Sequence, residues 1–162
     1  MMGQTIDEPL SAEGIEQVTK ALPYLASHFD IILSSPLKRT AQTAQIIAEH
    51  RKVPIIYMEE LKERNYGSLA GLKIEELPGL DKSTNDIDEQ IKTVDFKACG
   101  GESEEEMKTR LAKALDRIKS EYKGKTVLLV GSGGTLFYMH HVFPQKERKE
   151  ITNASIHEFV ID

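Results

Sequence analysis

Two short polar segments lie where an apolar strand passes into a helix, and both suit phosphate binding. The first is the Ser-Ser-Pro of residues 34–36, after the apolar residues 31–33. The second is the Gly-Ser-Gly-Gly of residues 131–134, after the apolar stretch 126–130. The first turn of a helix offers unpaired backbone N–H groups and a partial positive charge, so either segment could bind an anion. Any α/β fold has several helix starts, so neither segment is specific by itself.

Three charged residues near these turns could add phosphate chemistry. Arg39 lies one turn into the helix that is predicted to start at Pro36, where a guanidinium can bind phosphate with two parallel hydrogen bonds. Glu63 and Arg64 lie in a loop just after a predicted strand, and a carboxyl there could protonate a leaving alcohol. The plainer alternatives are an ordinary surface arginine on a helix and a solvated glutamate in a charged loop.

The spacing of apolar residues predicts strands and helices that alternate along the chain. Ser11 is expected to cap the first helix, Pro23 to kink it, and Ser103 with Glu106 to form a capping box. The predicted elements are a helix over 12–29, a strand over 31–33, a helix over 36–50, a strand over 53–58, a helix over 104–123, a strand over 126–130, a helix over 135–142 and a strand over 154–161. This order predicts a mostly parallel sheet with helices on both faces, whose ligands bind beyond the carboxyl ends of the strands.

Composition excludes several classes of protein. A net charge of −5, no tryptophan and 6% aromatic residues disfavour a nucleic-acid-binding surface. The single cysteine, Cys99, excludes a disulfide scaffold and a cysteine-based zinc site. No apolar stretch approaches the roughly 20 residues of a membrane span, and no signal peptide opens the chain. We therefore expect a cytoplasmic protein with no membrane or nucleic-acid partner.

The order of these segments resembles the histidine phosphatase superfamily, which has a phosphoglycerate mutase-like fold. Residues 33–44 (LSSPLKRTAQTA) resemble a hallmark of that family, and residues 61–71 (LKERNYGSLAG) resemble its acid-donor loop. Residues 3–14, 100–103 and 126–135 are similar to three further family segments. The resemblance covers nearly the whole chain in the right order. Taken together, the motifs are specific for this family, whereas taken singly only the segment around Arg39 is specific.

The resemblance implies a three-layer α/β sandwich over residues 1–162, taken as one domain, that transfers phosphoryl groups through a phosphohistidine without metal or cofactor. Glu63 matches the family's acid, and Ser132 stands where the family has its second histidine. The expected phosphate contacts are Arg39, Ser35, Arg64 and Gly133. The expected partner is phosphate or a small phosphorylated metabolite.

This sequence departs from the family pattern twice. No Arg-His-Gly motif occurs in the chain, which begins where the family is already past its first strand, and position 132 is serine. None of the five histidines falls at a motif position: His28, His50, His140, His141 and His157. We therefore expect a family fold missing its first strand, with neighbouring strands closing up or a second copy of the chain filling the gap as a homodimer.

Whether such a chain is an enzyme is left open by its sequence. The first interpretation is a domain that is catalytically inactive or severely impaired but could still bind phosphate esters. The alternative is an active phosphohistidine-dependent phosphatase or mutase whose N-terminal segment is absent from this chain and whose second histidine has been replaced. A nucleotide-binding module is a weaker rival, because residues 130–134 do not fit the full G-x-G-x-x-G spacing and few residues follow them.

Overall fold

A computed structural model describes residues 1–79, 91, 94, 96–143 and 150–160 of the chain. Its helices and strands are, in order, α1 Ala12–Ala21, β1 Ile31–Ser34, α2 Lys38–Arg51, β2 Ile55–Tyr57, α3 Glu104–Glu121, β3 Val127–Val130 and α4 Gly133–Val142. Single turns of 3-10 helix cover Leu22–Tyr24, Glu59–Leu61, Gly67–Leu69, Ile74–Glu76 and Phe96–Cys99.

The three strands form one parallel sheet in the order β2-β1-β3, which confirms the predicted parallel sheet. Ser34, the last residue of β1, pairs with Tyr57 on β2 and with Val130 on β3. Because all three strands run the same way and end in register, the segments that follow them meet at one edge of the sheet. In the described part of the chain, residues 1–10 form no strand, and β3 has a strand neighbour on one side only.

Helices cover both faces of the sheet, as predicted. Ile32 of β1 packs on one face against Val18 of α1 and Ala44 of α2. The neighbouring Leu33 points to the other face and packs with Ala114 of α3. A second cluster on that face joins α3 to α4 through Met107, Leu111, Leu115, Tyr138 and Met139. Burial on both faces explains why the central strand β1 is almost purely apolar, whereas Ile56 and Tyr57 of the edge strand β2 are exposed.

Four helix boundaries differ by two or more residues from those expected from the sequence, including the end of α3 at Glu121 and the start of α4 at Gly133. α1 ends at Ala21 rather than near Phe29, because Pro23 opens a 3-10 turn and Leu25 then adopts an extended backbone. α2 begins at Lys38 rather than at Pro36, and Leu37 is its N-cap residue. The N-caps at Ser11 and Ser103 are confirmed, the second as a full capping box with Glu106.

The strand predicted over residues 154–161 is wrong for the part that is described. Residues 154–160 form no strand. Their apolar side chains pack without joining the sheet, since Ile156 contacts the α1–α2 side of the core and Phe159 contacts the cluster between α3 and α4. Across the described ranges, no helix is long and apolar enough to cross a membrane.

Candidate functional site

The carboxylate of Glu63 lies at the start of α4, beside the Gly-Ser-Gly-Gly turn. Its Oε2 accepts a hydrogen bond from the N–H of Gly134 at 3.2 Å, and its Oε1 accepts one from the N–H of Arg64 at 2.8 Å. The residue is 8% exposed. The loop after β2 and the turn after β3 therefore meet at the shared edge of the sheet, as their positions beyond the strands predict.

Two residues of this turn show how closely the loops approach. A Cβ atom on Gly134 would overlap Oε1 of Glu63, so a side chain at this position would have to displace the carboxylate. Ser132 is the N-cap residue of α4, but its side chain makes no cap hydrogen bond. Its Oγ is buried and has no hydrogen-bond partner within the described part of the chain. A buried hydroxyl without a hydrogen-bond partner in the described ranges therefore lies next to the first turn of α4.

Arg64 is fixed by the segment that precedes α3. Its Nε donates to the carbonyl of Glu102 at 2.9 Å, and its guanidinium lies 4.5 Å from the centre of the Phe96 ring. Burial lowers the pKa of Arg64, since a charged guanidinium loses solvation there. Arg64 remains a cation and is held one residue from Glu63.

A partly buried ion pair holds this loop in place. Arg110 of α3 donates from Nε and Nη2 to the two carboxylate oxygens of Glu102, at 2.8 and 2.7 Å. Its Nη1 donates to the carbonyls of Glu60 and Lys62, at 2.6 and 2.9 Å. One arginine thus joins α3 to the backbone on the N-terminal side of Glu63. Sequence reasoning missed Arg110, because nothing in the sequence links it to carbonyl groups some 50 residues away.

Tyr66 is a further polar group of this site that sequence reasoning did not single out. Its ring packs on Phe96 with centres 4.9 Å apart. Desolvation, and then the negative charge of Glu63, hold the pKa of its hydroxyl well above the ordinary value. The hydroxyl therefore stays protonated at neutral pH and can act only as a neutral hydrogen-bonding group.

The side chains of Ser35 and Arg39 both form hydrogen bonds with backbone groups of this chain. Ser35 is fully buried, and its Oγ accepts a hydrogen bond from the N–H of Leu37 at 3.3 Å. The guanidinium of Arg39 donates to the carbonyl of Gly3 at 2.8 Å and to that of Ile6 at 3.2 Å. Phosphate binding by Ser35 and Arg39 stays a prediction, and it requires Arg39 to exchange backbone carbonyls for a phosphate oxygen.

Carboxylates of the protein occupy both predicted anion sites. Oδ1 of Asp7 accepts a hydrogen bond from the N–H of Lys38, the first residue of α2, at 2.6 Å. Glu63 takes the corresponding place at the start of α4. The sequence indicated that these helix starts favour negative charge, but it did not indicate that the chain supplies that charge.

The histidines lie elsewhere. His140 is six residues beyond Gly134, about 9 Å further along α4, and it pairs with His157. His28 pairs with Asp30 just before β1, at the opposite end of the sheet from Glu63. Within the described ranges, no group of three histidine, cysteine or acidic residues could hold a metal ion.

Comparison with known proteins places this arrangement in a family. The model of the histidine phosphatase superfamily (branch 1) matches residues 1–162. The Bacillus subtilis (strain 168) protein named "Uncharacterized phosphatase PhoE" is 34% identical over 131 residues, which is 80% of this chain but 62% of that protein. Phosphoglycerate mutase-like protein 4 of Arabidopsis thaliana is 30% identical over 160 residues, or 95% of this chain and 69% of that protein.

Solved structures agree with the sequence comparison. The crystal structure of phosphoglycerate mutase from Thermus thermophilus superposes with a TM-score of 0.67 and 26% identity, over 90% of this chain and 75% of that one. The parallel sheet, its covering helices and the order of its segments are thus those of phosphoglycerate mutase-like folds. This chain belongs to the histidine phosphatase superfamily.

Proposed function

We propose that this chain binds phosphate esters at the edge of the sheet formed by Glu63, Arg64 and residues 131–134, and that in this form it is catalytically inactive or severely impaired. The observation that carries the proposal is Ser132, whose buried Oγ lies at the start of α4 without a partner in the described part of the chain. A phosphohistidine enzyme needs an imidazole in such a place, and a hydroxyl does not replace it.

The chemistry of serine argues for the loss of turnover. A serine hydroxyl becomes a good nucleophile only when a base beside it takes the proton. The carboxylate of Glu63 contacts the turn, but both of its oxygens already accept backbone hydrogen bonds. The chain also lacks the Arg-His-Gly motif that carries the nucleophile in the family, and loss of a covalent nucleophile costs on the order of 10⁶ in turnover in a well-studied serine protease. We expect a deficit of similar size here.

Two arginines support phosphate binding. Arg64 is a buried cation, so a phosphate dianion beside it would replace part of the solvation that it has lost. Arg39 already lies near the same edge and is held by two neutral carbonyls, which are weaker partners than a phosphate oxygen. The bound ester would meet the neutral hydroxyl of Tyr66 rather than a phenolate.

One observation favours the alternative, an active phosphohistidine-dependent phosphatase or mutase acting on small phosphorylated metabolites. Glu63, the proposed acid, contacts the same turn that contains Ser132, so a single change at position 132 would place an imidazole beside an acid. On this alternative, the nucleophile belongs to an N-terminal segment that is absent from this chain.

Binding and turnover, measured separately on the 162-residue chain, distinguish the two functions. Calorimetry with inorganic phosphate is expected to give weak, saturable binding that Arg64→Met reduces at least tenfold, whereas Arg117→Met on the exposed face of α3 leaves it unchanged. Release of nitrophenolate from p-nitrophenyl phosphate should not exceed the rate without protein. Saturable turnover by this chain would overturn the inactivity, and absence of phosphate binding would overturn the site.

A gain-of-function experiment tests the alternative directly. A variant that carries Ser132→His and an added family-type first strand with Arg-His-Gly should turn over p-nitrophenyl phosphate if the remaining residues are intact. Turnover that then depends on Glu63 would favour an enzyme, and continued inactivity of the folded variant would favour a binding domain. We propose a cytoplasmic location on the basis of the single free cysteine, and the expected homodimer stays a prediction.

A further inference from the structure

A hydroxyl and two imidazoles form a continuous hydrogen-bonded chain that reaches α4 at His140, six residues beyond Gly134. Oγ of Ser155 lies 2.9 Å from Nε2 of His157, and Nδ1 of the same ring lies 2.8 Å from Nε2 of His140. The arrangement has the order of a nucleophile, a base and a group that orients the base.

One assignment of protons satisfies both contacts. The hydroxyl of Ser155 donates to Nε2 of His157, and the Nδ1–H of His157 donates to Nε2 of His140. His140 is 8% exposed, and its ring meets that of Phe159 edge-on with centres 5.0 Å apart. Packing therefore fixes the ring of His140. His140 in turn orients the ring of His157, which faces the hydroxyl of Ser155.

The backbone around Ser155 is unusual in a way that points to function. Ala154, the preceding residue, has φ of +57°, a left-handed conformation that side chains with a Cβ rarely adopt. The turn is closed by the N–H of Ser155, which donates to the carbonyl of Thr152 at 3.2 Å, and by the N–H of Thr152, which donates to Oγ at 3.3 Å. Such local strain concentrates at functional sites. Ser155 is half-buried, so the residue keeps some contact with solvent.

We propose that Ser155 is a nucleophile, activated by His157 as general base and positioned by His140, that accepts acyl groups from activated carboxylic esters. Oγ attacks the ester carbonyl carbon, and its proton moves to Nε2 of His157. The bond from carbon to the alcohol oxygen then breaks, the alcohol leaves with that proton, and the acyl group stays on Oγ. None of these three residues belongs to the proposed phosphate site, so the proposal does not depend on the function given above.

The test is covalent labelling of the 162-residue chain with a fluorophosphonate probe. In that reaction the Oγ–P bond forms, the P–F bond breaks, fluoride leaves and His157 takes the proton. Intact mass and peptide mapping are expected to find one adduct, on Ser155. His157→Gln should lower the labelling rate about a hundredfold, because a positioned base contributes that much or more. Ser120→Ala, which removes an exposed serine of α3, should not change the rate.

Two further measurements separate a chemical role from a structural one. Imidazole added to His157→Ala should restore labelling of Ser155, which a merely structural histidine would not allow. His140→Phe keeps the ring packing and should lower the rate about tenfold without a change in melting temperature. Should the His157 variants fail to fold, the folded wild type must still label Ser155 at least tenfold faster than the same chain in urea. Equal rates for the folded and unfolded chain, an adduct on another serine, or full reactivity in folded His157→Gln would overturn the proposal.

Discussion

The carboxylate of Glu63 accepts a hydrogen bond from the N–H of Gly134 across 71 positions of sequence, at 3.2 Å. This contact joins the loop after β2 to the first turn of α4 and places a buried negative charge at a helix start. The same contact defines the candidate site and stabilises the fold. A change in either residue should therefore lower the free energy of unfolding.

Glu63→Gln removes one of the two oxygens that accept backbone hydrogen bonds. An amide has a single acceptor oxygen, so the N–H of Arg64 or that of Gly134 must face an NH2 group. We expect a loss of about 1–2 kcal/mol in the free energy of unfolding, measured by urea denaturation at neutral pH. Glu59→Gln, an exposed change in the same loop, should cost less than about 0.5 kcal/mol. Equal losses for the two variants would contradict the role given to Glu63.

Gly101→Ala should be among the most destabilising single changes in the chain. The new Cβ would lie 2.6 Å from the carbonyl oxygen of Asn65 and 2.8 Å from that of Phe96, and backbone atoms cannot turn away. We expect a cost of about 3 kcal/mol or more by urea denaturation. The neighbouring Gly100 has φ of +74° but open space around it. Gly100→Ala should therefore cost only about 1 kcal/mol, and the reverse order would show that the contact at Gly101 relaxes easily.

Arg110→Ala should destabilise the chain because the carboxylate of Glu102 then loses its ion-pair partner. The side chains of Arg110 and Glu102 are 19% and 14% exposed, so the variant leaves a poorly solvated carboxylate and two carbonyls without their donor. We expect a loss of about 3 kcal/mol, whereas Arg117→Ala, in an exposed pair with Glu121, should lose less than about 1 kcal/mol. A double-mutant cycle with Glu102→Ala measures the coupling. A coupling near zero would show that Arg110 acts through the carbonyls alone.

Asp30 gives a pH dependence with a definite sign. The N–H of Thr126 donates to its Oδ2 at 2.8 Å and holds the pKa of the carboxyl below its ordinary value of 3.8, with a smaller contribution from His28. A carboxyl whose pKa is lower in the folded chain stabilises the fold above the unfolded pKa and loses that effect as the pH falls through the folded one.

The difference in unfolding free energy between wild type and Asp30→Asn should therefore be largest near neutral pH. It should shrink as the pH falls below about 4. Urea denaturation of both chains from neutral pH to about pH 2.5 measures it. A difference that stays constant over this range would show that the carboxylate charge of Asp30 does not contribute.

Local rules were sufficient for much of the fold. The cap at Ser11, the capping box of Ser103 with Glu106 and the apolar strands follow from hydrogen bonding and burial within a few residues, and the structure confirms them. The predicted last strand was wrong because its apolar residues can be buried in more than one way. Ile156 and Phe159 pack on two different clusters without the backbone joining the sheet.

By itself, the sequence determined the fold class, the edge of the sheet where Glu63 and Ser132 come together, and the absence of a histidine from that turn. Each of these depends on residue type and on order along the chain. Only the tertiary structure decided which partners the polar groups have. Asp7 and Glu63 occupy the helix starts, Arg110 holds the loop that carries Glu63, and Ser155 meets His157 and His140. Except for Ser155 and His157, these contacts join residues far apart in sequence, and a hydrogen bond depends on position within a few tenths of an ångström, which spacing along the chain does not specify.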